Sequence, residues 1–204
     1  MKYVDLHTHS TSSDGTFTPS ELAAYAARKG LAAFALTDHD TTDGLAEAEA
    51  AAAEHGIEFV PGIEFSTDYD GHDIHIVGLD IDRTQKELTE RLQAFRQNRD
   101  ARNEEMLELL RTVGGFAITM EDLRRSYGQD TVITRAHFGR WLFEHGCVKS
   151  ISEAVSYTHL DVYKRQYHDR LIHLIGYDDT GSCLAMASFF HFSALLTLDR
   201  RRRL

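Results

Sequence analysis

The sequence predicts an α/β protein, and three observations carry that prediction. Short apolar segments alternate with helical patterns over residues 1–82, which is typical of parallel strands joined by right-handed crossovers. Polar residues follow these apolar segments directly, as they do at the carboxyl ends of the strands in an α/β barrel. From about residue 84 the pattern becomes mostly helical and highly charged.

The apolar segments place four strands at residues 3–6, 31–36, 57–60 and 74–79. The first helix begins at a capping box, in which Thr18 caps, Pro19 occupies the first helical position and Glu21 closes the box. It ends near Gly30, and a second helix over 43–55 ends at Gly56.

Further helices are predicted at 84–113, after Thr119, over 134–145 and from residue 150. We therefore divide the chain into a barrel part over 1–82, a helical insertion or cap over 83–149, and an uncertain tail over 150–204. Residues 156–166 resemble a peptide that arises when sequencing-adapter DNA is translated. The tail from about residue 156 is accordingly expected to be an assembly artefact, with a native basic-ended tail as the alternative.

Composition narrows the classes of function. The chain has 204 residues, of which 42% are hydrophobic, and a net charge of −10 with histidine neutral. Such an acidic protein is not expected to coat double-stranded DNA, because that binding depends on Lys and Arg. The sequence shows neither an apolar run of about 20 residues nor a signal peptide, so no membrane partner is expected. Cys147 and Cys183 lack paired spacing, and we expect reduced thiols in a cytoplasmic protein.

Histidines and a glutamate follow the predicted strands and form a candidate metal site. His7 and His9 come after the first strand, His39 after the second and Glu64 after the third. Residues i and i+2 of an extended chain face the same side, so His7 and His9 can point at one spot. Imidazole nitrogen and carboxylate oxygen are ligands for divalent metals such as zinc, iron and manganese.

Two more residues extend this candidate site. Asp14 lies in the loop after the first strand, and His75 lies on the fourth strand. Glu64 can bridge two ions, because a carboxylate has two oxygens. Other histidines have simpler explanations, since His55 and His145 precede glycines and can stabilise helix carboxyl ends.

The motifs together resemble the PHP family (polymerase and histidinol phosphatase). The matching segments are Val4-Asp-Leu-His-Thr-His-Ser-Thr-Ser-Ser-Asp-Gly15, Thr37-Asp-His-Asp40, Pro61-Gly-Ile-Glu64 and His75-Ile-Val-Gly78, in the family's order over residues 1–155. The resemblance implies a TIM-like, distorted (β/α)7 barrel, incomplete here, with a helical insertion. It also implies two or three divalent ions, manganese first and iron or zinc as alternatives.

The resemblance implies roles for individual residues. The metal ligands are His7, His9, Asp14, His39, Glu64 and His75, and Asp14 and His39 are the catalytic pair nearest the reacting phosphate. The family's later Ala-His-Pro-like and Asp-x-His segments have no counterpart after Val155.

A set of residues in the helical part resembles the branch that acts on nucleoside 3′,5′-bisphosphates and on short RNA 5′ ends. These substrate-binding candidates are Arg99, Arg102, Asn103, Thr134 and Arg135. Guanidinium groups match phosphate oxygens in charge and hydrogen-bond geometry. The candidate residues would hold the phosphate group of the substrate that does not react. Arg96 is expected to be a surface residue, and the role of His137 is left open between reaching the site and packing.

The expected function is metal-dependent hydrolysis of a phosphate ester. The first candidate reaction removes the 3′-phosphate of a nucleoside 3′,5′-bisphosphate, and 5′-to-3′ trimming of short RNA is related to it. The alternatives are a histidinol-phosphatase-like or amidohydrolase-like hydrolase and a non-catalytic metal-binding PHP fragment. The sequence does not indicate an oligomeric state.

Overall fold

A computed structural model describes residues 3–69 and 72–158, so the predicted artefact beyond Thr158 lies outside the described residues. Four strands and six helices occur in this part of the chain. They are β1 (Tyr3–Thr8), α1 (Pro19–Arg28), β2 (Leu31–Leu36), α2 (Leu45–His55), β3 (Glu58–Tyr69), β4 (His72–Leu79), α3 (Lys86–Thr112), α4 (Met120–Tyr127), α5 (Arg135–Glu144) and α6 (Ile151–Thr158).

The strands form one mixed sheet in the order β1-β2-β3-β4, which confirms the α/β class. β1, β2 and β3 are parallel, whereas β4 pairs antiparallel with β3. The expectation of a parallel sheet is therefore right for three strands and wrong for the fourth. Parallel strands need a crossover of a dozen or more residues, and the short turn between β3 and β4 permits only a hairpin.

β3 is much longer than the sequence predicts. It runs over 12 residues and continues through Pro61 and Gly62. Glu64 therefore lies inside this strand, opposite Val77 of β4, and not after its end as predicted. The strand extends because it gains β4 as an antiparallel partner where its parallel pairing with β2 ends at Pro61.

Helices α1 and α2 pack against the sheet through one apolar cluster. Phe34 and Leu36 of β2 contribute alternate side chains, which point to the same face of the sheet. Small alanines on both helices let them approach closely. The buried members are Leu22, Ala23, Ala26, Phe34, Leu36, Leu45, Ala48, Ala51, Ala52 and Ile57.

The predicted helix boundaries rest on chemistry that the structure shows. The Thr18 hydroxyl accepts a hydrogen bond from the Glu21 backbone N–H, and the Glu21 carboxylate accepts one from the Thr18 N–H. Thr119 and Asp122 form the same box at the start of α4. Gly56 ends α2 at a φ of +64°, a conformation that glycine adopts without steric cost.

Helices α3 to α6 enclose a second apolar cluster. Its buried members are Met106, Leu107, Leu110, Ile118, Leu123, Ile133, Phe138, Leu142, Val148 and Ala154. Ala154 and the partly buried Tyr157 bring α6 into this cluster. The domain boundaries given above remain a prediction.

Several apolar side chains of the sheet are exposed in the described part of the chain. Tyr3 is 65% exposed and Val4 55% exposed on β1, and Ile76 is 54% exposed on β4. β1 and β4 are the two outer strands of this sheet, so each has a neighbouring strand on one side only. Among the described helices, none combines the length and the apolar character that crossing a membrane requires.

The second cluster provides a test of the packing. Leu110 is fully buried there, so Leu110→Ala should lower the free energy of unfolding by about 2–5 kcal/mol through lost contacts and a cavity. Chemical denaturation followed by circular dichroism measures this change. Val113→Ala is the matched control on a 53% exposed side chain and should change stability by less than about 0.5 kcal/mol. Equal effects of the two substitutions would contradict the described packing.

Candidate metal centre

Glu64 is the centre of a group of imidazoles. His7 and His9 project to the same side at the end of β1, and the Nε2 atoms lie 3.0 and 3.1 Å from Glu64 Oε2. The Glu64 side chain is only 4% exposed, so these imidazoles share a carboxylate that is almost removed from water. The expectation that alternate residues would converge is correct for this pair.

Backbone pairing places His39 beside the same carboxylate. An isolated parallel bridge joins His39 to Glu64, in which the Glu64 N–H donates to Asp38 O at 3.1 Å and the Asp40 N–H donates to Glu64 O at 3.0 Å. His39 Nδ1 lies 3.6 Å from Glu64 Oε2. The end of β2 is thereby tied to β3 at the residue where the imidazoles meet.

β4 supplies the fourth imidazole. His75 is opposite Ser66 across the hairpin, and Glu64 is two residues before Ser66 on the same face. His75 Nδ1 consequently lies 3.1 Å from Glu64 Oε1, the carboxylate oxygen that the other three histidines do not contact. Glu64 thus presents one oxygen to each side of the cluster.

Asp14 approaches from the loop after β1. Its Oδ1 lies 3.6 Å from His9 Nδ1, and its Oδ2 lies 3.5 Å from His39 Nε2. The following residue, Gly15, is required for this loop, because a Cβ there would be 2.2 Å from the His9 carbonyl oxygen. The Gly15 N–H donates to Ser10 O, which closes the loop.

A buried carboxylate that the sequence reasoning missed holds this loop. Asp38 Oδ1 accepts hydrogen bonds from the Ser10 N–H at 2.7 Å and the Ser13 hydroxyl at 2.6 Å, and Oδ2 accepts one from the Ser10 hydroxyl. Burial raises the pKa of Asp38, and the bonds from Ser10 and Ser13 oppose that effect. The Thr37-Asp38-His39 motif was the available signal, but sequence alone does not show that Asp38 faces the serines.

The six predicted ligands therefore come together as three overlapping groups within the described residues. The groups are His7, His9 and Glu64; His9, Asp14 and His39; and His39, Glu64 and His75. In each group, one ligand atom per residue lies within 4.8 Å of the others. Three residues belong to two groups each, so the arrangement suits adjacent ions that share ligands.

The donor set fits divalent metal ions. His39 Nδ1 is a buried nitrogen without a hydrogen-bond partner, although it faces Glu64. A buried polar atom normally has a partner, and a metal ion between these ligands would supply it. Nitrogen and carboxylate oxygen are ligands of zinc, iron and manganese.

The protonation equilibria of His39 and Glu64 favour ligation, whereas that of His9 does not. Burial lowers the pKa of His39 to about 4, which leaves the imidazole neutral and able to donate a lone pair at neutral pH. Burial alone would raise the pKa of Glu64, but hydrogen bonds from His75 and His9 hold it well below its usual range. Burial disfavours the protonated form of His9, whereas the hydrogen bond with Glu64 favours it. The pKa of His9 is raised above its ordinary value.

Among the predicted substrate-binding residues, Thr134 contacts this cluster directly and Arg99 contacts Asp40, the neighbour of His39. The Thr134 hydroxyl donates to Asp14 Oδ2 at 3.2 Å, and the buried Asn103 donates from Nδ2 to Ile133 O. Arg99 is buried and donates from Nε and Nη2 to Asp40 Oδ2. Arg102 and Arg135 are partly buried and also have contacts within the protein.

The structure shows the contacts of two further residues, His137 and Arg96. His137 is buried and packs beneath the Asp14 loop, where its Nδ1 accepts a hydrogen bond from the Thr134 N–H at 2.9 Å. Burial lowers the pKa of His137 to about 4. Arg96 is partly exposed, and its Nη2 donates to Thr41 Oγ1 and Asp43 Oδ2 at 2.6 Å each.

Arg140 also contributes to the site and was missed. Its Nη2 donates to the Asp14 carbonyl oxygen at 3.2 Å, and its guanidinium lies over the Tyr127 ring. Nothing in the local sequence distinguishes this arginine from others in the helical part, since its partner is 126 residues away.

Comparison with known proteins agrees with the motifs and the geometry. A family model of the PHP domain matches residues 5–188, a range that includes all six candidate ligands. The chain belongs to the PHP domain family. Its mixed sheet and packed helices correspond to an incomplete, distorted TIM-like barrel.

Individual PHP relatives have names that concern nucleotides and RNA. The chain is 42% identical over 151 residues to a 3′,5′-nucleoside bisphosphate phosphatase of Chromobacterium violaceum, covering 74% of this chain and 53% of that protein. It is 41% identical over 153 residues to a 5′-3′ exoribonuclease of Haemophilus influenzae, covering 75% and 55% respectively. The chain therefore spans about half the length of the curated relatives it matches.

A solved structure confirms the fold. It is described as an amidohydrolase from Chromobacterium violaceum with bound sulfate and no metal. It superposes on this chain with a TM-score of 0.70 at 41% sequence identity, covering 75% of this chain and 54% of the other.

Glu64 is the most informative residue to change in the candidate metal centre. Glu64→Gln should reduce the manganese bound per chain by at least half, because Glu64 belongs to two of the three groups. Elemental analysis after dialysis measures the bound metal. His55→Ala is the control, since exposed His55 at the end of α2 is in none of the groups. Unchanged metal content in Glu64→Gln would show that the ions bind elsewhere.

Proposed function

We propose that this chain is the metal-binding part of a phosphoesterase that hydrolyses a phosphate ester of a nucleotide. The observation that carries the proposal is the convergence of four imidazoles and Asp14 around the buried Glu64 carboxylate. PHP family membership and the names of the relatives support the reaction class.

The proposed ligands are His7, His9, Asp14, His39, Glu64 and His75, holding two or three divalent ions. Manganese is the first candidate, with iron or zinc as alternatives. When bound, such ions neutralise phosphate oxygens and activate water as a nucleophile near neutral pH. The carboxylates of Asp14 and Glu64 would direct their negative charge at the ions, so an acidic protein can accept an anionic substrate at this site.

Asp14 and His39 are proposed to act closest to the reacting phosphate. Asp14 Oδ2 and His39 Nε2 lie 3.5 Å apart, and Asp14 is the member of the cluster that Thr134 contacts. The neutral His39 serves as a ligand first, because an imidazole that ligates a metal is a poor proton donor. Arg140 and Thr134 hold Asp14 by its backbone and its side chain, which fixes its orientation.

The proposed substrate is a nucleoside 3′,5′-bisphosphate, from which the 3′-phosphate is removed, with a short RNA 5′ end as a related substrate. Arg99, Arg102, Asn103, Thr134 and Arg135 are proposed to form the clamp for the phosphate that does not react. The contact of Thr134 with Asp14 connects this clamp to the metal centre. Cationic forks next to a phosphate-processing centre favour a substrate with two phosphate groups.

Experiments can separate the proposed function from three alternatives. A histidinol-phosphatase-like enzyme would accept a monophosphate without needing the clamp, and an amidohydrolase-like enzyme would cleave a carbon–nitrogen bond. A non-catalytic fragment would bind metal without turnover. A cytoplasmic location is proposed, consistent with the exposed free thiol of Cys147.

The reaction is tested by phosphate release. The manganese-loaded chain should release inorganic phosphate from adenosine 3′,5′-bisphosphate, and Glu64→Gln should reduce the rate by at least tenfold because the ligand set is broken. A colorimetric phosphate assay measures both rates. Metal binding without release, in a chain that melts cooperatively, would favour the non-catalytic fragment.

The clamp is tested by comparing two substrates. Arg135→Ala should raise the KM for adenosine 3′,5′-bisphosphate by about tenfold, the typical effect of losing one charge-assisted contact, and should change the KM for adenosine 3′-monophosphate by less than twofold. Steady-state kinetics on both substrates measure the difference. Arg111→Ala, an exposed arginine of α3 paired with Glu108, is the control. A similar change for both substrates would argue against a clamp at this position.

A further inference from the structure

Asp40 has an unusual backbone conformation immediately after a candidate ligand. It follows His39 and has a φ of +52°, the left-handed region that few residues other than glycine adopt. Asp and Asn are among the residues that tolerate this region. Asp40 is also buried, so water does not solvate its charge.

The Asp40 carboxylate has a complete set of partners inside the protein. Its Oδ1 accepts a hydrogen bond from the Ser66 N–H at 2.9 Å, and its Oδ2 accepts two from Arg99. Arg99 Nη2 also donates to the Ser66 hydroxyl at 2.5 Å. The side chains of Arg99 and Asp40 are 7% and 2% exposed, so this is a buried ion pair.

These contacts surround the backbone that carries two candidate ligands. The Asp40 N–H donates to Glu64 O, and its carboxylate holds Ser66, two residues further along β3. His39 and Glu64 are bridged between these points. The Asp40–Arg99 pair therefore joins the end of β2 and the middle of β3 to α3.

A second arginine of α3 reinforces the connection. Arg96 lies one turn before Arg99 and donates to Thr41 and Asp43, in the segment that follows Asp40. α3 thus holds residues 40–43 through two guanidinium groups on one helix face. Arg96 is 38% exposed and its pair with Asp43 lies near the surface, so the buried Arg99 pair is the stronger constraint.

We propose that Asp40 and Arg99 are positioning residues of the metal centre, which set the spacing of His39 and Glu64 for ion binding. The inference deepens the proposed function and rests on the metal centre described for it. Arg99 acts here through Asp40, in addition to any contact with substrate. Residues that orient metal ligands without touching the metal contribute tenfold to a hundredfold to metal affinity in other proteins.

The physical reason is the behaviour of a broken buried pair. Loss of either partner leaves one charge buried without compensation, and the chain relaxes to hydrate it. The relaxation moves the segment after His39, whose left-handed conformation depends on the surrounding contacts. The distance between His39 and Glu64 then changes although both ligands remain.

The experiment uses Asp40→Asn and Arg99→Lys in the full chain. Asparagine tolerates the same φ but removes the charge and turns one of the two acceptor oxygens into a donor nitrogen, while lysine retains the charge but cannot reproduce the two-nitrogen contact with Asp40. Manganese affinity, measured by competition with a fluorescent chelator without substrate, should fall tenfold to a hundredfold in both variants. The absorption spectrum of bound Co²⁺ should also change, because it reports ligand geometry.

Leu110→Ala is the matched control for stability. It weakens the helical cluster elsewhere on α3 and should leave manganese affinity within twofold of the unmodified chain. Arg135→Ala, a clamp variant, should likewise retain that affinity. These comparisons separate positioning from stability and from substrate contact.

Two results would overturn the proposal. One is manganese affinity within twofold of the unmodified chain in folded Asp40→Asn or Arg99→Lys. The other is a loss of affinity in Leu110→Ala as large as that in these variants. If Asp40→Asn does not fold, Arg99→Lys alone decides the question, because it keeps the buried charge. Absence of phosphate release would count against the proposed function but leave this measurement intact.

Discussion

The arrangement of the site depends on one buried carboxylate with four imidazoles around it. Glu64 reaches the ends of β1 and β2 with one oxygen and β4 with the other. A buried carboxylate is costly unless it is compensated, and hydrogen bonds from the histidines provide that compensation. This requirement explains why β3 extends beyond its parallel pairing, since only a strand shared by β2 and β4 brings Glu64 to all of them.

The sequence predicts the convergence of the six candidate ligands because those residues lie in short local patterns. Alternation brings His7 and His9 together, and the positions of His39 and Asp14 follow from strand ends and a loop. It fails for Asp38, Asp40 and Arg140, whose importance arises from partners tens to more than a hundred residues away. The orientation of β4 follows from the short turn before it, which the alternation of strands and helices does not reveal.

The helical part and the sheet part have separate apolar clusters, yet the site is built from both. Asp14 is contacted by Thr134, the residue before α5, and by Arg140 of α5. Asp40 is contacted by Arg99 of α3. A buried polar contact such as the Arg99–Asp40 pair is strong when it is satisfied and costly when it is broken, so it joins the two clusters firmly beside the site. The roles of Arg102, Asn103 and Arg135 remain predictions.

The outer strands of the sheet have a consequence for the behaviour of the chain in solution. Among the described residues, β1 pairs only with β2 and β4 only with β3, and both carry exposed apolar side chains. The free backbone groups of such an edge are a template for a strand of another molecule. Within the described part of the chain, these two edges are therefore the places where a further strand can add to the sheet, whether it comes from the same molecule or from a second one.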